Sequence, residues 1–227
     1  MKFIVIGLGY FGSTLASTLT SMGHEVLGID NRQEQVDDHK DTITYVMQMD
    51  TTNVKAVESL PLEDADAVIV AIGEDVGSSV LTVSILKNLG IKRIIGRVIS
   101  PVHQNILKQI GITETIHPEK ETAMLVSSTL RIKNAIRIID LNEDNVLSEI
   151  PVPRKYVGHT IDSMNVENRF GIKLIGVKKA TKTHSPAAFS KSDHSLDLRC
   201  DPQTILGEND ILLLAGNIDR ISRFTEG

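Results

Sequence analysis

Apolar and polar positions follow two rhythms along this chain, and the change falls near residue 135. Before it, short unbroken apolar runs take turns with helical patterns. Phe3–Ile6 predicts a buried strand. Leu15, Leu19 and Met22 recur at helical spacing and predict a helix with these three on its apolar face, ended by Gly23 in a left-handed cap. Val26–Ile29 predicts a second strand that stops at Asp30, and Tyr45–Met49 a third that stops at Asp50. The run AVIVAI at Ala67–Ile72 is β-branched and unbroken, as a strand covered on both faces requires. A helix over Asp75–Leu89 ended by Gly90 and a strand over Lys92–Val98 come next. A helix opened by Ser100-Pro101 and stopped at Gly111, a strand at Thr113–Ile116, and a helix from Pro118 toward Asn134 complete the series. Six strands interleaved with helices predict a doubly wound, parallel-sheet α/β domain over residues 1–134.

After residue 135 the strands come with few helices between them. Ile136–Leu141, Val146–Val152, Lys173–Val177 and Ile211–Ala215 read as strands, Thr160–Met164 and Asp219–Thr225 as helices, and the polar stretch Thr181–Ser195 as a loop. Residues 135–227 thus predict a smaller α+β domain.

The first glycine cluster changes the picture from fold to chemistry. Gly7-Leu8-Gly9-Tyr10-Phe11-Gly12 follows a predicted strand and opens a predicted helix, the context of a Rossmann-like dinucleotide loop. Gly7 permits the turn, Gly9 lets backbone approach a phosphate, and Gly12 brings the helix close to the strand. Amides at the helix start favour an anion. Asp30, at the end of the second strand, is placed to accept both ribose hydroxyls of an adenosine and to repel a 2′-phosphate, with Asn31 and Arg32 beside it. Asp50 and Thr51 end the third strand. They fit equally an adenine- or ribose-facing role and an N-cap pair opening Asn53–Leu60. Ala71-Ile72-Gly73, followed by Glu74, let backbone approach the nucleotide. Arg97 ends the fifth strand, where either a phosphate or a surface ion pair suits it.

Composition narrows the remaining classes. A net charge of −5 and the lack of any run of five or more basic residues argue against nucleic-acid binding. Aromatic residues are 4%, with no Trp, so the core is expected to rest on Ile, Val and Leu. The one cysteine, Cys200, reads as a packing residue and fits a reducing, cytosolic compartment. The seven histidines show no metal-ligand spacing. There is no Walker A sequence. The alternative left open by the glycine loop and Asp30 is an NAD-dependent oxidoreductase, for which residues 135–227 offer no obvious acid/base group. A nucleotide-sensing transcriptional regulator would need a basic recognition helix, and none is visible.

Several longer segments carry a family resemblance. VIGLGYFGSTLA, GHEVLGID, VIVAIGED and IHPEKE resemble the N-terminal domain of the potassium-conductance regulator (RCK) family, and in particular its Trk and Ktr potassium-uptake subunits. VGHTIDSMNVENRFGIKLIGVKK and LGENDILLLAGNIDRISRF resemble the companion C-terminal domain. The resemblance implies a regulatory subunit rather than an enzyme, forming homodimers that assemble into a ring, often octameric. The ring docks on the cytosolic side of a membrane potassium-translocating subunit. ATP, ADP or NAD(H) at the glycine loop biases its shape. It also implies a Mg²⁺ or Ca²⁺ ligand at Glu119, and a cyclic dinucleotide near Ile161, Asp162 and Arg169. Many Ktr-type members carry an arginine in the glycine loop that meets the terminal phosphate; here that position is Tyr10, a neutral ring, with Arg97 as the substitute.

Overall fold

Ala67–Val70 is buried at every position, which only a strand with helices over both faces can be. The computed structural model, which describes residues 1–180 and 194–226, places it in the middle of a parallel sheet. The chain divides into two units, residues 1–120 and 121–227. In the first, the elements are β1 (Lys2–Ile6), α1 (Tyr10–Ser21), β2 (Glu25–Asp30), α2 (Gln33–His39), β3 (Tyr45–Gln48), α3 (Val54–Glu58), β4 (Ala67–Val70), α4 (Val76–Asn88), β5 (Ile94–Arg97), α5 (Pro101–Ile110) and β6 (Glu114–Ile116). The helix α6 (Pro118–Thr129) then carries the chain from the first unit into the second.

The six strands lie in the order β3-β2-β1-β4-β5-β6, all parallel. Alternate strand residues feed two cores. Ile4, Ile6, Ile29, Val68 and Val70 pack with Val83 and Leu86 of α4 and Leu107 of α5. Val5, Val26, Ala67 and Ile69 pack on the opposite face with Leu8 and with Ala16 of α1. The strand order reverses between β1 and β4, so the chain leaves these two strands in opposite directions and opens a crevice at their carboxyl ends.

The second unit contains β7 (Arg137–Asp140), β8 (Asn145–Pro151), α7 (Ile161–Met164), α8 (Val166–Phe170), β9 (Lys173–Ala180), β10 (His194–Asp197), β11 (Ile211–Asn217) and α9 (Ile218–Glu226). The strands form an antiparallel sheet in the order β10-β9-β11-β8-β7. Its core is aliphatic except at one spot. There Tyr156 stacks on Phe224 at 5.2 Å and Phe170 meets Phe224 edge-on at 5.4 Å. Among the described residues no helix is long and apolar enough to cross a membrane.

Four sequence expectations are corrected. Met22 lies beyond α1 and is 66% exposed; Leu15 and Leu19 do pack against the core, beside the buried Gly12, Ser13 and Ala16, small residues that bring the helix axis close to the sheet. The helix from Pro118 ends at Thr129, short of Asn134, which adopts a positive φ of 63°. The N-cap of α3 is Asn53, whose side chain accepts from the Lys55 amide, and not Asp50 or Thr51. Residues 181–193 of the expected polar loop lie outside the described residues, but His194 and Ser195 begin β10, paired with Ala180 and Lys179 of β9.

Candidate nucleotide site at the strand carboxyl ends

The glycine loop is explained by protein contacts at two positions and left unexplained by them at a third. Gly7 has φ +93°, and a Cβ there would lie 3.0 Å from the Ile72 amide nitrogen. A Cβ on Gly12 would fall 1.8 Å from the Gly7 carbonyl oxygen, so any side chain would drive α1 off the sheet. Around Gly9 nothing lies within 4 Å of where a Cβ would stand. No packing demand selects glycine there, and the open space is on the side from which a ligand would reach the backbone.

The same turn is the N-terminus of α1. Gly9 is its N-cap and offers no side chain to the first amides, and no acid occupies the first turn. The neighbouring helices are closed: Asp75 accepts from the Ser78 amide at α4, and Ser100 from the His103 amide at α5. Free amides, a helix dipole and open space together make an anion cradle at residues 9–12.

Asp30 is 5% exposed and its carboxylate is largely engaged. Oδ2 accepts from the Leu8 amide at 2.8 Å; Oδ1 accepts from the Arg32 amide at 2.9 Å and from Arg32 Nε at 3.2 Å. Asp30 therefore ties the glycine loop to the end of β2. A carboxylate has about four acceptor sites, which leaves room for a hydroxyl as well. The Arg32 guanidinium is held above its ordinary pKa first by that hydrogen bond to Asp30. Its Nη1 also approaches Glu74 at 3.7 Å, so the turns after β2 and β4 face each other through this pair. The Asn31 carbonyl accepts from Gln48 Nε2.

Other expected residues sit differently. Thr51 is buried and its hydroxyl shares a 2.9 Å hydrogen bond with that of Thr82 on α4, so it faces the core. Asp50 is exposed and held below the usual carboxylate range by the Thr52 hydroxyl and amide. Tyr10 is 92% exposed. Arg97 points into the site wall: its Nη1 donates to the Ala71 carbonyl at 3.3 Å and its Cζ lies 5.5 Å from the centroid of Phe11. Its Nη2 pairs with Glu119. Sequence reasoning placed Arg97 and Glu119 separately and missed their pairing, because nothing in the chain links positions 22 residues apart. Glu119 is a single oxygen donor already paired with arginine, and among the described residues no group of three or more His, Cys, Asp or Glu is arranged to hold a metal. These residues do not by themselves fit a Mg²⁺ or Ca²⁺, which takes six or more oxygen ligands. In the second unit, Asp162 and Arg169 are exposed and Ile161 is half-buried.

A parallel sheet with this reversal, a glycine loop under its first helix and a buried acid at the end of β2 define a Rossmann-like domain. Comparison with known proteins agrees. The TrkA-N domain family matches residues 3–118. Two proteins of Bacillus subtilis (strain 168) are similar over almost the whole chain. The Ktr system potassium uptake protein A is 31% identical over 223 residues, 98% of this chain and 95% of the relative. The Ktr system potassium uptake protein C is 29% identical over 224 residues, with the same coverages. Among solved structures, the GsuK RCK domain superposes with a TM-score of 0.64 at 19% identity, over 100% of this chain but 48% of that one. The GsuK channel bound to NAD gives a TM-score of 0.60 at 19% identity over 99% of this chain and 38% of that one. The chain belongs to the TrkA-N family, with the Trk and Ktr potassium uptake proteins.

Proposed function

We propose that this protein is a non-catalytic regulatory subunit of a potassium uptake system that binds an adenine nucleotide, ATP or ADP, or NAD(H), at the glycine loop. The observation that carries the reading is Gly9: an open position on the uncapped end of α1, beside a loop held in place by Asp30. The phosphates sit on amides 9–12, the ribose hydroxyls on Asp30, and the adenosine against Ala71-Ile72-Gly73. The buried carboxylate of Asp30 disfavours a 2′-phosphate, so NADP binds least well. The similarity to potassium uptake proteins over nearly the full chain supports a role in transport and gives the oxidoreductase alternative no support.

The subunit is cytoplasmic and reaches the membrane through a potassium-translocating partner. Homodimers assemble into a ring, an octamer, and the nucleotide shifts that ring by binding one shape better than another. Exposed apolar residues on α6 (Met124, Leu125, Val126) and on α5 (Val102, Ile106) supply contact area for assembly. Asp162 and Arg169, beside Ile161, would offer a cyclic dinucleotide a carboxylate and a guanidinium. Any divalent cation at Glu119 would draw its other ligands from nucleotide phosphates or a second copy. Isothermal calorimetry with ATP, ADP, AMP, NADH and NADPH tests the site: binding of adenosine ligands with NADPH weaker than NADH is expected, and binding of none of them removes the reading.

A further inference from the structure

Arg97 is held by three parts of the proposed nucleotide site at once. Its Nη1 donates to the Ala71 carbonyl, its guanidinium lies over Phe11 of the glycine loop, and a Cβ at Gly73 would stand 2.6 Å from Nη1. Glycine at 73 is what admits the guanidinium to this wall. The side chain is 17% exposed, and its Nε–H is buried with no partner among the described residues.

That orphan matters because Nε and Nη2 form one edge of the guanidinium, the edge that meets a carboxylate or phosphate with two parallel hydrogen bonds. Arg93, four residues earlier, uses it so: Nε and Nη2 reach the Glu114 carboxylate at 3.0 and 2.9 Å. Arg97 uses it by half, with Nη2 on Glu119 and Nε on no acceptor among the described residues. A buried donor left unmade costs free energy that a better acceptor recovers. A phosphate can span both nitrogens and would be that acceptor.

Glu119 is free to leave. Its side chain is 61% exposed, and its carboxyl is held below the usual range first by its own backbone amide at the start of α6 and only then by Arg97. Released from Arg97, it keeps the favourable end of the helix and gains water.

We propose that Arg97 reads the charge of the bound nucleotide: a phosphate beyond those seated on α1 displaces Glu119 from the Nε–Nη2 edge. A short-phosphate ligand leaves the Arg97–Glu119 pair intact. Glu119 stands in the first turn of α6, the helix that carries the chain from one unit to the other, so the phosphate count is delivered to that segment. The inference rests on the nucleotide reading above and adds the residue that sets selectivity among adenine nucleotides.

The test is a set of AMP and ATP affinities, by calorimetry, for the full chain, Glu119→Gln, Arg97→Gln and the double variant. Glu119→Gln is expected to tighten ATP about tenfold, equivalent to about 1.4 kcal/mol, and AMP hardly at all. In the Arg97→Gln background that gain disappears, which simple repulsion between Glu119 and phosphate would not produce. Carboxyl carbon NMR on the unmutated chain gives a readout independent of variant folding: the Glu119 pKa stays depressed with AMP and rises toward its ordinary value with ATP. An ATP-to-AMP ratio unchanged by Glu119→Gln, a gain that persists without Arg97, or a Glu119 pKa indifferent to ATP overturns the relay while leaving the site intact. Absence of binding by both AMP and ATP overturns the nucleotide reading itself.

Discussion

Strand β5 is bracketed by two arginines, and its two ends treat them differently. At the amino end Arg93 and Glu114 meet in the open with both side-on nitrogens engaged. At the carboxyl end Arg97 is mostly buried, engages Glu119 with one nitrogen and leaves the adjacent donor without a partner among the described residues. The contrast extends across the sheet. The amino edge is closed by ordinary surface pairs, such as the Lys2 amide on Asp66. The carboxyl edge carries an open glycine, an uncapped helix, a buried acid and an unfinished arginine. Completed interactions hold a fold, and under the proposed function the incomplete ones await a ligand. The carboxyl edge gives up local stability for that readiness, as functional sites in otherwise consistent folds do.

The largest effect expected at the carboxyl edge separates its glycines. Gly12→Ala places a methyl group 1.8 Å from the Gly7 carbonyl oxygen, so backbone must move. A loss of about 3 kcal/mol, the upper end for overpacking, is expected in chemical denaturation. Gly9→Ala meets no protein atom and should leave the denaturation midpoint nearly unchanged, while nucleotide affinity falls on the order of tenfold. Equal loss of stability in both would mean that Gly9 has a packing role and that the open space is not a ligand's. Next in size is Asp30→Ala, which strands the buried Leu8 amide and frees the loop. About 2 kcal/mol of stability should go, within the range for a buried donor left unpaired, together with measurable nucleotide binding.

Much of the first unit was legible because local chemistry and global fold agree there. The unbroken run at Ala67–Val70 announces a doubly covered strand, Ser100 caps α5, and Gly111 ends it at φ +91°. The helix α2 was not legible: Val36 is its one buried residue, too little for a period to show. The same holds for β10, whose four residues are never buried and which is defined by its pairing with β9. In the site, Gly7, Gly12 and Asp30 could be read because motif spacing reflects backbone geometry. Thr51 could not, since strand ends do not say which face a side chain takes, and its hydroxyl turns inward to Thr82. The Arg97–Glu119 pair depends on two neighbouring strands ending level with each other, a tertiary fact without a local signature.

A second unfinished group lies on α5, whose first turn also begins at the carboxyl edge. His103 is buried and neither ring nitrogen has a partner among the described residues. Burial pushes its pKa below the ordinary 6.5. The unfolded chain then takes up a proton near pH 6.5 while the folded chain does not. Stability is unaffected above that pH and falls as pH drops below it, until the lower folded pKa is reached. The slope contributed by one such group is at most about 1.4 kcal/mol per pH unit. Replacing His103 with leucine should raise stability at neutral pH by about 1 kcal/mol, since two unpaired buried nitrogens are removed. It should also flatten this part of the profile relative to the unmutated chain, as thermal melts between pH 5 and pH 8 would record.

The smallest effect is the one that puts the two ends of β5 side by side. Arg93→Gln removes an exposed surface pair whose geometry is good but whose charges are already solvated, so the melting temperature should barely move and any change should vanish in high salt. Nucleotide affinity should not respond, because Arg93 lies at the wrong end of the strand to meet a ligand. Arg97→Gln should also cost little stability, since it deletes an unpaired buried donor along with a half-used ion pair. It should nonetheless abolish the discrimination of ATP from AMP. If Arg93→Gln shifted that discrimination as far as Arg97→Gln does, selectivity would come from the net charge of the unit rather than from an unfinished edge, and the two ends of the strand would no longer differ in kind.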